Sequence, residues 1–309
     1  MIIQTGSRTD IPAFYSRWFL NRLEEGYVMV RNPYNPSAVT RYDLNPEVVD
    51  MILFCTKNPA PMLPHMDKLK DYGQFWFVTL TPYGKDIEPN MPDKRNIIKS
   101  FKELSDIVGP DAVTWRYDPI LVDENYTVER HLTAFETIAR ELSGYTRECV
   151  ISFVDLYKKV QRNYPELKAV TYKDRLKLGA HMKEIADHFG MNLKTCGEGD
   201  ELAPYGADCS GCMTIETYER ALGEKLNVPS FKPVRKECAC FLGNDIGAYD
   251  TCGHLCRYCY ANTNADLVKQ NLQSHDPDSP FLLGGPMEGD KIHQAKQERW
   301  VSDQMMFIL

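Results

Sequence analysis

The sequence lacks the segments that carry a chain into or across a membrane. Its opening Met1-Ile-Ile-Gln-Thr-Gly-Ser-Arg8 has neither a charged n-region nor an apolar h-region. No run of about 18 apolar residues occurs, so secretion and membrane spanning are disfavoured and a cytoplasmic protein is expected. Glycine-rich phosphate loops are missing too. Neither G-x-G-x-x-G nor a Walker sequence is present, which weighs against a Rossmann reading. Positive charge is in deficit: a net charge of −7 argues against the phosphate-neutralising face of a general nucleic-acid binder. No internal repeat stands out and nothing in the composition suggests disorder. The 309 residues suffice for one α/β barrel or two small domains.

Cysteine, by contrast, is plentiful and crowded, with eight of the ten lying between Cys196 and Cys259. In a large chain without an export signal, that clustering favours metal over disulfides. Cys252-Gly-His-Leu-Cys256-Arg-Tyr-Cys259 is a three-point claw of spacing C-x3-C-x2-C. Thiolates select iron–sulfur clusters or zinc, and a [4Fe–4S] cube held by three cysteines leaves one iron open. Structural zinc takes four protein ligands, so it fits less well unless His254 or a distant cysteine completes the tetrahedron. Upstream, Cys196, Cys209-Ser-Gly-Cys212 and Cys238-Ala-Cys240 offer a second framework for zinc or another cluster, and spacing alone selects Cys209 as a member. Five buried thiols without metal would be an oxidation liability. Cys149, opening an apolar run, reads as core packing; Cys55, before Thr56-Lys57, is a candidate neighbour of the site.

Short β-rich runs alternate with helical patterns along the chain. Strands are expected at Met1–Thr5, Tyr27–Arg31, Met51–Cys55, Phe75–Leu80, Ala112–Trp115, Cys149–Val154 and Asn192–Thr195, with an eighth near Ala239–Leu242. Helices are expected over Phe14–Leu23 and at about 94–108, 127–142, 173–190 and 214–222. This alternation predicts a mainly parallel sheet, and the strand number favours a full or partial (β/α) TIM-like barrel over an open sheet. Polar residues follow nearly every run: Ser7-Arg8-Thr9-Asp10, Arg31-Asn32, Thr56-Lys57-Asn58, Thr79 and Thr81, Arg116-Tyr117-Asp118, Asp155 and Cys196-Gly-Glu198. Strand ends of a β/α barrel line the catalytic rim, so these are candidate site residues. Taken singly, each has a plainer reading, since Asp10 and Asp118 stand where a helix or turn cap would.

The claw, with aromatic Tyr258 before its last cysteine, resembles the signature of radical S-adenosylmethionine (SAM) enzymes. The longer run Cys238-Ala-Cys240 through Asp245-Ile-Gly-Ala-Tyr-Asp-Thr-Cys252 to Asn262 resembles that of an uncharacterised bacterial domain family with this C-terminal claw. The similarity extends to Gly6-Ser-Arg-Thr-Asp10-Ile-Pro12, Cys55-Thr-Lys-Asn-Pro59 and His275-Asp-Pro-Asp-Ser-Pro280, and so to essentially the whole chain. The resemblance implies a [4Fe–4S] cluster on Cys252, Cys256 and Cys259 whose open iron chelates SAM. It also implies reductive SAM cleavage and a radical acting on a small polar or nucleotide-like substrate, fed by an external one-electron reductant such as flavodoxin or ferredoxin. For the second site it implies Cys196, Cys212, Cys238 and Cys240, leaving Cys209 as a neighbour. Two other classes stay open: an iron–sulfur or zinc barrel doing Lewis-acid or hydrolytic chemistry, and a non-catalytic metal-dependent binding or electron-transfer protein.

In that superfamily the claw usually follows the first barrel strand, whereas here it comes near the end, which suggests a permuted barrel. The strand leading into the claw would then lie beside residues 2–5. The loop Thr5-Gly6-Ser7-Arg8-Thr9-Asp10 would hold the SAM amino group, and Arg8, Lys57 or Arg116 would pair with its carboxylate. Tyr258 would lean on the adenine or the cluster, or simply pack. Arg116, Asp118, Lys57 and Asp155 are the candidate catalytic groups. Residues 1–262 are read as the barrel, including the cysteine-rich region 196–262, and 263–309 as a helical extension with helices at Ala265–Gln273 and Gly289–Arg299. The segment from Tyr83 to Pro92 reads as a flap over the rim, Gly284-Gly285-Pro286 as a plain turn, and His181 and His188 as surface or packing residues.

Overall fold

The computed structural model describes residues 1–230, 240–241 and 243–301. Its centre is a seven-stranded sheet built from β1 (Ile2–Gln4), β4 (Met51–Thr56), β5 (Gly73–Thr79), β6 (Val113–Ile120), β7 (Glu148–Phe153), β8 (Asn192–Thr195) and β9 (Asn244–Asp245). In space the order is β8-β7-β6-β5-β4-β1-β9, and every pairing is parallel. The chain's last strand in this sheet therefore stands beside its first, in the register Ile3↔Asn244 and Gln4↔Asp245. That is the neighbour the permuted arrangement requires. Strand pairing does not close a barrel among the described residues: β8 and β9 are the two edges. Cys240 and Phe241 carry no strand, and Ala239 and Leu242, with which they were expected to form one, lie outside the described residues, as does Cys238.

Fully apolar runs such as Met51-Ile-Leu-Phe54 are buried on both faces, as parallel strands between covering layers must be. The helices are α1 (Ile11–Phe14), α2 (Ser16–Glu25), α3 (Lys94–Val108), α4 (Val128–Leu142), α5 (Lys158–Asn163), α6 (Tyr172–His188), α7 (Ile215–Leu222) and α8 (Ala265–Ser274). Side-chain caps start most of them: Asp93, Thr127, Thr171, Thr214 and Asn264 each accept from a first-turn N–H. None of the described helices is long and apolar enough to cross a membrane. Aromatic rings fill the middle, with Phe54 stacked on Trp76 at 3.8 Å and Trp115 on Phe135 at 4.7 Å.

Three stretches depart from the pattern read in the sequence. Tyr27–Arg31 is a strand, β2 (Tyr27–Asn32), but it pairs antiparallel with β3 (Asn35–Asp43) in a separate sheet, because Asn32-Pro-Tyr-Asn35 turns the chain straight back. Arg31 is accordingly not on the rim; it binds Asp290 and Gly285 O. Gly289–Arg299 is not a helix: Lys291–Gln294 forms β10, which joins β3 in parallel and extends that second sheet. Gly284 has φ of +71°, a turn conformation that suits glycine. His181 and His188 are exposed on α6.

His131, wholly buried on α4, shows how tightly this interior fixes proton positions. Its Nε2 lies 2.7 Å from Leu121 O and so donates, leaving Nδ1 to accept from Tyr117 OH at 2.8 Å. Burial, opposed by that Leu121 bond, pushes the imidazole down from 6.5 to about 4. The folded state thus refuses a proton that the unfolded chain accepts, so this contribution is complete above pH 6.5 and is lost as pH falls toward 4. The integrated effect is about 3 kcal/mol. Urea midpoints should therefore fall more steeply between pH 6.5 and 4.5 in the wild type than in His131→Gln; equal slopes would contradict it.

Candidate functional site

The C-terminal ends of the central strands open on one cavity of about 370 Å³. Gly6, Ser7 and Asp10 reach it after β1, Lys57 after β4, Arg116 and Asp118 from β6, and Asp155 after β7. Cys196 and Cys212 line it, as do Cys240, Cys252, Cys256, Cys259 and Tyr258. Both thiol groups thus face the same space. Cys55 lines it too, whereas Cys149 is buried within β7.

The claw is held by its backbone. Tyr15 OH donates to Thr251 O at 2.7 Å, Asn262 Nδ2 to Cys252 O at 2.8 Å, Asn90 Nδ2 to Gly253 O at 2.7 Å, and Arg257 N to Ile87 O at 3.0 Å. A Cβ on Gly253 would come 2.7 Å from the Phe14 ring, so only glycine lets the loop sit this close. The segment expected as a flap is instead a strap packed on the claw, with Tyr83, Ile87 and Met91 buried. Burial pushes all three claw thiols up, Cys256 to about 12 despite Lys57 beside it. A bound cation reverses that preference, since coordination deprotonates a thiol outright.

Asp10 ties the N-terminal loop to the claw. Its Oδ1 accepts from Ala13 N (3.0 Å) and Thr56 Oγ1 (2.7 Å), its Oδ2 accepts from Lys57 N (2.7 Å), and His254 Nε2 stands 2.9 Å from that same Oδ2. The capping role readable at Asp-Ile-Pro is real, and the carboxylate carries three further bonds besides. Because a carboxylate only accepts, Nε2 holds the proton, and His254 Nδ1 is left as a buried atom without a hydrogen-bond partner. Thr9 Oγ1 is likewise buried and unpartnered, and both residues line the cavity. Gly6 passes so close to Cys55 that a Cβ would lie 2.4 Å from the Cys55 Cβ and carbonyl oxygen. Arg8 does not line the cavity. Its guanidinium binds the Asp245 carboxylate and, at 2.6 Å, the Asp245 carbonyl, while Ser7 N donates to Asp245 Oδ1 at 3.2 Å.

Lys57 is spoken for as well. Glu88, 1% exposed, accepts from Lys57 Nζ (2.7 Å), Thr81 Oγ1 (2.8 Å), Lys94 Nζ and Tyr258 OH. Burial drives the Glu88 carboxyl up, yet Lys57 and Lys94 together outweigh it and hold it down at about 2. Tyr258, in the claw, also packs its ring 5.7 Å from Tyr83 and 5.5 Å from the Lys57 ammonium. Nothing local in Ile87-Glu88-Pro89 announces a buried carboxylate, so this anchor is invisible to sequence pattern.

At the second thiol group, Cys212 and Cys240 Sγ are 3.6 Å apart, and Cys196 lines the same cavity. The neighbouring Cys212 and Cys240 thiols, with Arg116 nearby, push the Cys196 thiol well down, while Cys212 is pushed up by Cys196. Arg116 pairs with Asp118, which also accepts from Ser152 Oγ, and reaches to 4.0 Å from Cys212 Sγ. It therefore serves the second thiol group rather than the claw. Cys209 faces away: its Sγ sits 3.7 Å from Ala207 O and it does not line the cavity. Asp155 bonds Tyr157 OH at 2.8 Å. Glu198, unnoticed except as a polar residue after a strand, lines the cavity with a carboxyl that burial raises to about 7.

Among the described residues no group of three or more His, Cys, Asp or Glu side chains is set to hold a single metal ion. The donor chemistry of the claw nonetheless fits an iron–sulfur cluster, in which each thiolate binds its own iron and the sulfurs need not converge on one point. Three thiols, Cys256 buried and Cys252 and Cys259 half-buried, face one cavity, and a cationic Lys57 stands by.

A family model described as a domain of unknown function (DUF1848) matches residues 2–261. No curated protein matches the chain. Among solved structures, a chain labelled an alpha-L-fucosidase candidate from Bacteroides thetaiotaomicron is similar at 13% identity and a TM-score of 0.27, over 69% of this chain and 59% of that one. This chain thus spans well under two thirds of that protein's resolved length, and a likeness at that score carries no argument about the site.

The Glu88 anchor is open to direct measurement. Glu88→Gln leaves the half-buried Lys57 and Lys94 ammonium groups facing a buried neutral amide and should lower unfolding free energy by about 3 kcal/mol, while Tyr258→Phe, which removes one hydrogen bond, should cost about 1 kcal/mol. Equal losses in urea titrations would show that Glu88 is not the charge centre of this cluster.

Proposed function

The chain belongs to the DUF1848 family, and from the geometry of its cavity we propose that it is a radical SAM enzyme acting in the cytoplasm on a small polar or nucleotide-like substrate. The observation that carries the reading is the pairing of β1 with β9, which sets the loop Gly6–Asp10 beside the strand feeding Cys252, Cys256 and Cys259. This supports a permuted β/α barrel closing across the stretch between β8 and β9. Cys252, Cys256 and Cys259 would hold a [4Fe–4S] cluster, which when bound would supply the one-electron reduction of SAM that starts radical chemistry.

The protein's own residues would position and enclose that chemistry. Asp10 fixes the claw through His254, and Glu88 fixes it through Tyr258. Of the three proposed carboxylate partners, Lys57 is the one beside the claw, with its ammonium 5.5 Å from the Tyr258 ring and held by Glu88; Arg8 is engaged by Asp245 and Arg116 by Asp118 beside the second thiol group. The unpartnered Thr9 Oγ1 and His254 Nδ1 are polar atoms that a bound ligand would satisfy. Asp155 and Glu198, which line the cavity at the opposite strand ends, would meet the substrate, and Cys196, Cys212 and Cys240, with Cys238, would hold an auxiliary cluster or zinc. An external flavodoxin or ferredoxin would supply electrons.

One observation favours a second reading. A histidine that donates one ring N–H to a carboxylate and keeps the other nitrogen free is oriented as metal-bound histidines are, so His254 Nδ1 would complete a saturated Cys3His site with no open position. Anaerobic reconstitution separates the two. The radical SAM reading expects cluster absorbance that bleaches with dithionite, SAM cleavage that disappears in Cys252→Ala, Cys256→Ala and Cys259→Ala, and a claw cluster retained in His254→Ala. Zinc alone at all thiols, or loss of claw metal in His254→Ala, would overturn it.

A further inference from the structure

The central sheet ends at β8 on one side and β9 on the other, and no ladder joins them among the described residues. Short pieces of backbone occupy the seam. Along the outer edge of β8, Asp208 stands in for a strand, with its N–H donating to Leu193 O at 2.9 Å and its carbonyl accepting from Thr195 N at 3.0 Å. Further on, Met213 O accepts from Phe241 N at 2.8 Å, just ahead of β9. The three sulfurs are distributed over these same pieces. Cys196 follows β8 directly, Cys212 lies in the segment that edges it, and Cys240 precedes β9. Cys212 and Cys240 Sγ meet at 3.6 Å, Cys196 lines the same cavity, and Met213 N donates to Cys240 Sγ at 3.4 Å.

The strand at stake is short. β9 pairs with β1 at two positions, adds one bond, Ile246 N to Gln4 O at 2.9 Å, and is tied to the loop after β1 by Asp245 with Arg8 and Ser7 N. Each such backbone bond contributes only about 1 kcal/mol, and thiol–thiol contacts are weaker still. Yet β9 delivers the segment from which Cys252, Cys256 and Cys259 project. All of these anchors lie on its β1 side, so the seam side is where a further tie would act.

We infer that a thiolate-bound iron–sulfur centre at Cys196, Cys212 and Cys240 is a latch across the open sheet, joining β8 to β9 and so fixing the strand that carries the claw. The inference rests on reading these thiols as the auxiliary metal site. Arg116 is the buried cation that keeps such thiolates supported, and coordination couples metal binding to local folding.

The test is hydrogen exchange on the anaerobic full-length protein, metal-loaded and after chelation, with metal content measured on each sample. Removing the metal should speed amide exchange about tenfold or more in peptides spanning 207–213 and 243–252 while leaving β4 to β7 unchanged. Cys212→Ser should show the same acceleration without chelation, and Cys209→Ser should exchange and bind metal as the wild type does. Seam exchange that is indifferent to metal removal, or metal content unchanged in Cys212→Ser, would overturn the latch; the chelation arm decides should that variant not fold. SAM cleavage in the same preparations reports on the claw separately, so a latch that fails with cleavage intact leaves the proposed reaction standing, and the converse.

Discussion

Two rungs of parallel ladder, Ile3↔Asn244 and Gln4↔Asp245, decide where everything else in the site can be. They place the loop after β1 against the segment that runs into the claw, and Asp245 reinforces the junction from its side chain by taking Arg8 and Ser7 N. Without that junction Asp10 would not meet His254, and the first loop and last cysteines would have no reason to share a cavity. The close passage of Gly6 over Cys55 completes the arrangement by letting the first loop lie flat on β4.

Charge is then distributed to suit sulfur. A buried thiolate needs a positive neighbour, and each thiol group has one held in place by carboxylate. Behind Cys256 stand Lys57 and Lys94 around Glu88, a group with one positive charge to spare; beside Cys212 stands Arg116, whose partner Asp118 is itself fixed by Ser152. Residues read in the sequence as candidates for ligand contact are thus largely committed to the protein. Their common function is to build an interior in which sulfur donors are shielded from water and faced by cations.

Much of this was legible in advance because its signals are local. Apolar runs and capping residues located β1, β4 to β8 and most helices, and many polar residues after those runs line the cavity; Asn32, Asn58, Thr81 and Tyr117 do not, and Arg31, Arg8 and Cys209 miss it as well. The last three share a cause. Arg31 follows a genuine strand, but Asn32-Pro-Tyr-Asn35 folds it into another sheet; Arg8 lies on the right loop but meets Asp245, some 240 residues away in sequence; Cys209 has ideal spacing to Cys212 but turns to Ala207 O. Spacing cannot say which way a side chain points. The short polar strand β9 and the buried Glu88 left no local pattern at all, since both owe their position to partners distant in sequence.

The pairing of residue 3 with residue 244 also sets a timetable for biosynthesis. While the ribosome is still adding the middle of the chain, β1 has an unclaimed edge, and parallel pairing at such separation is slow to form. Chaperones therefore meet a nascent chain whose first strand and early loops are made long before their last partners emerge.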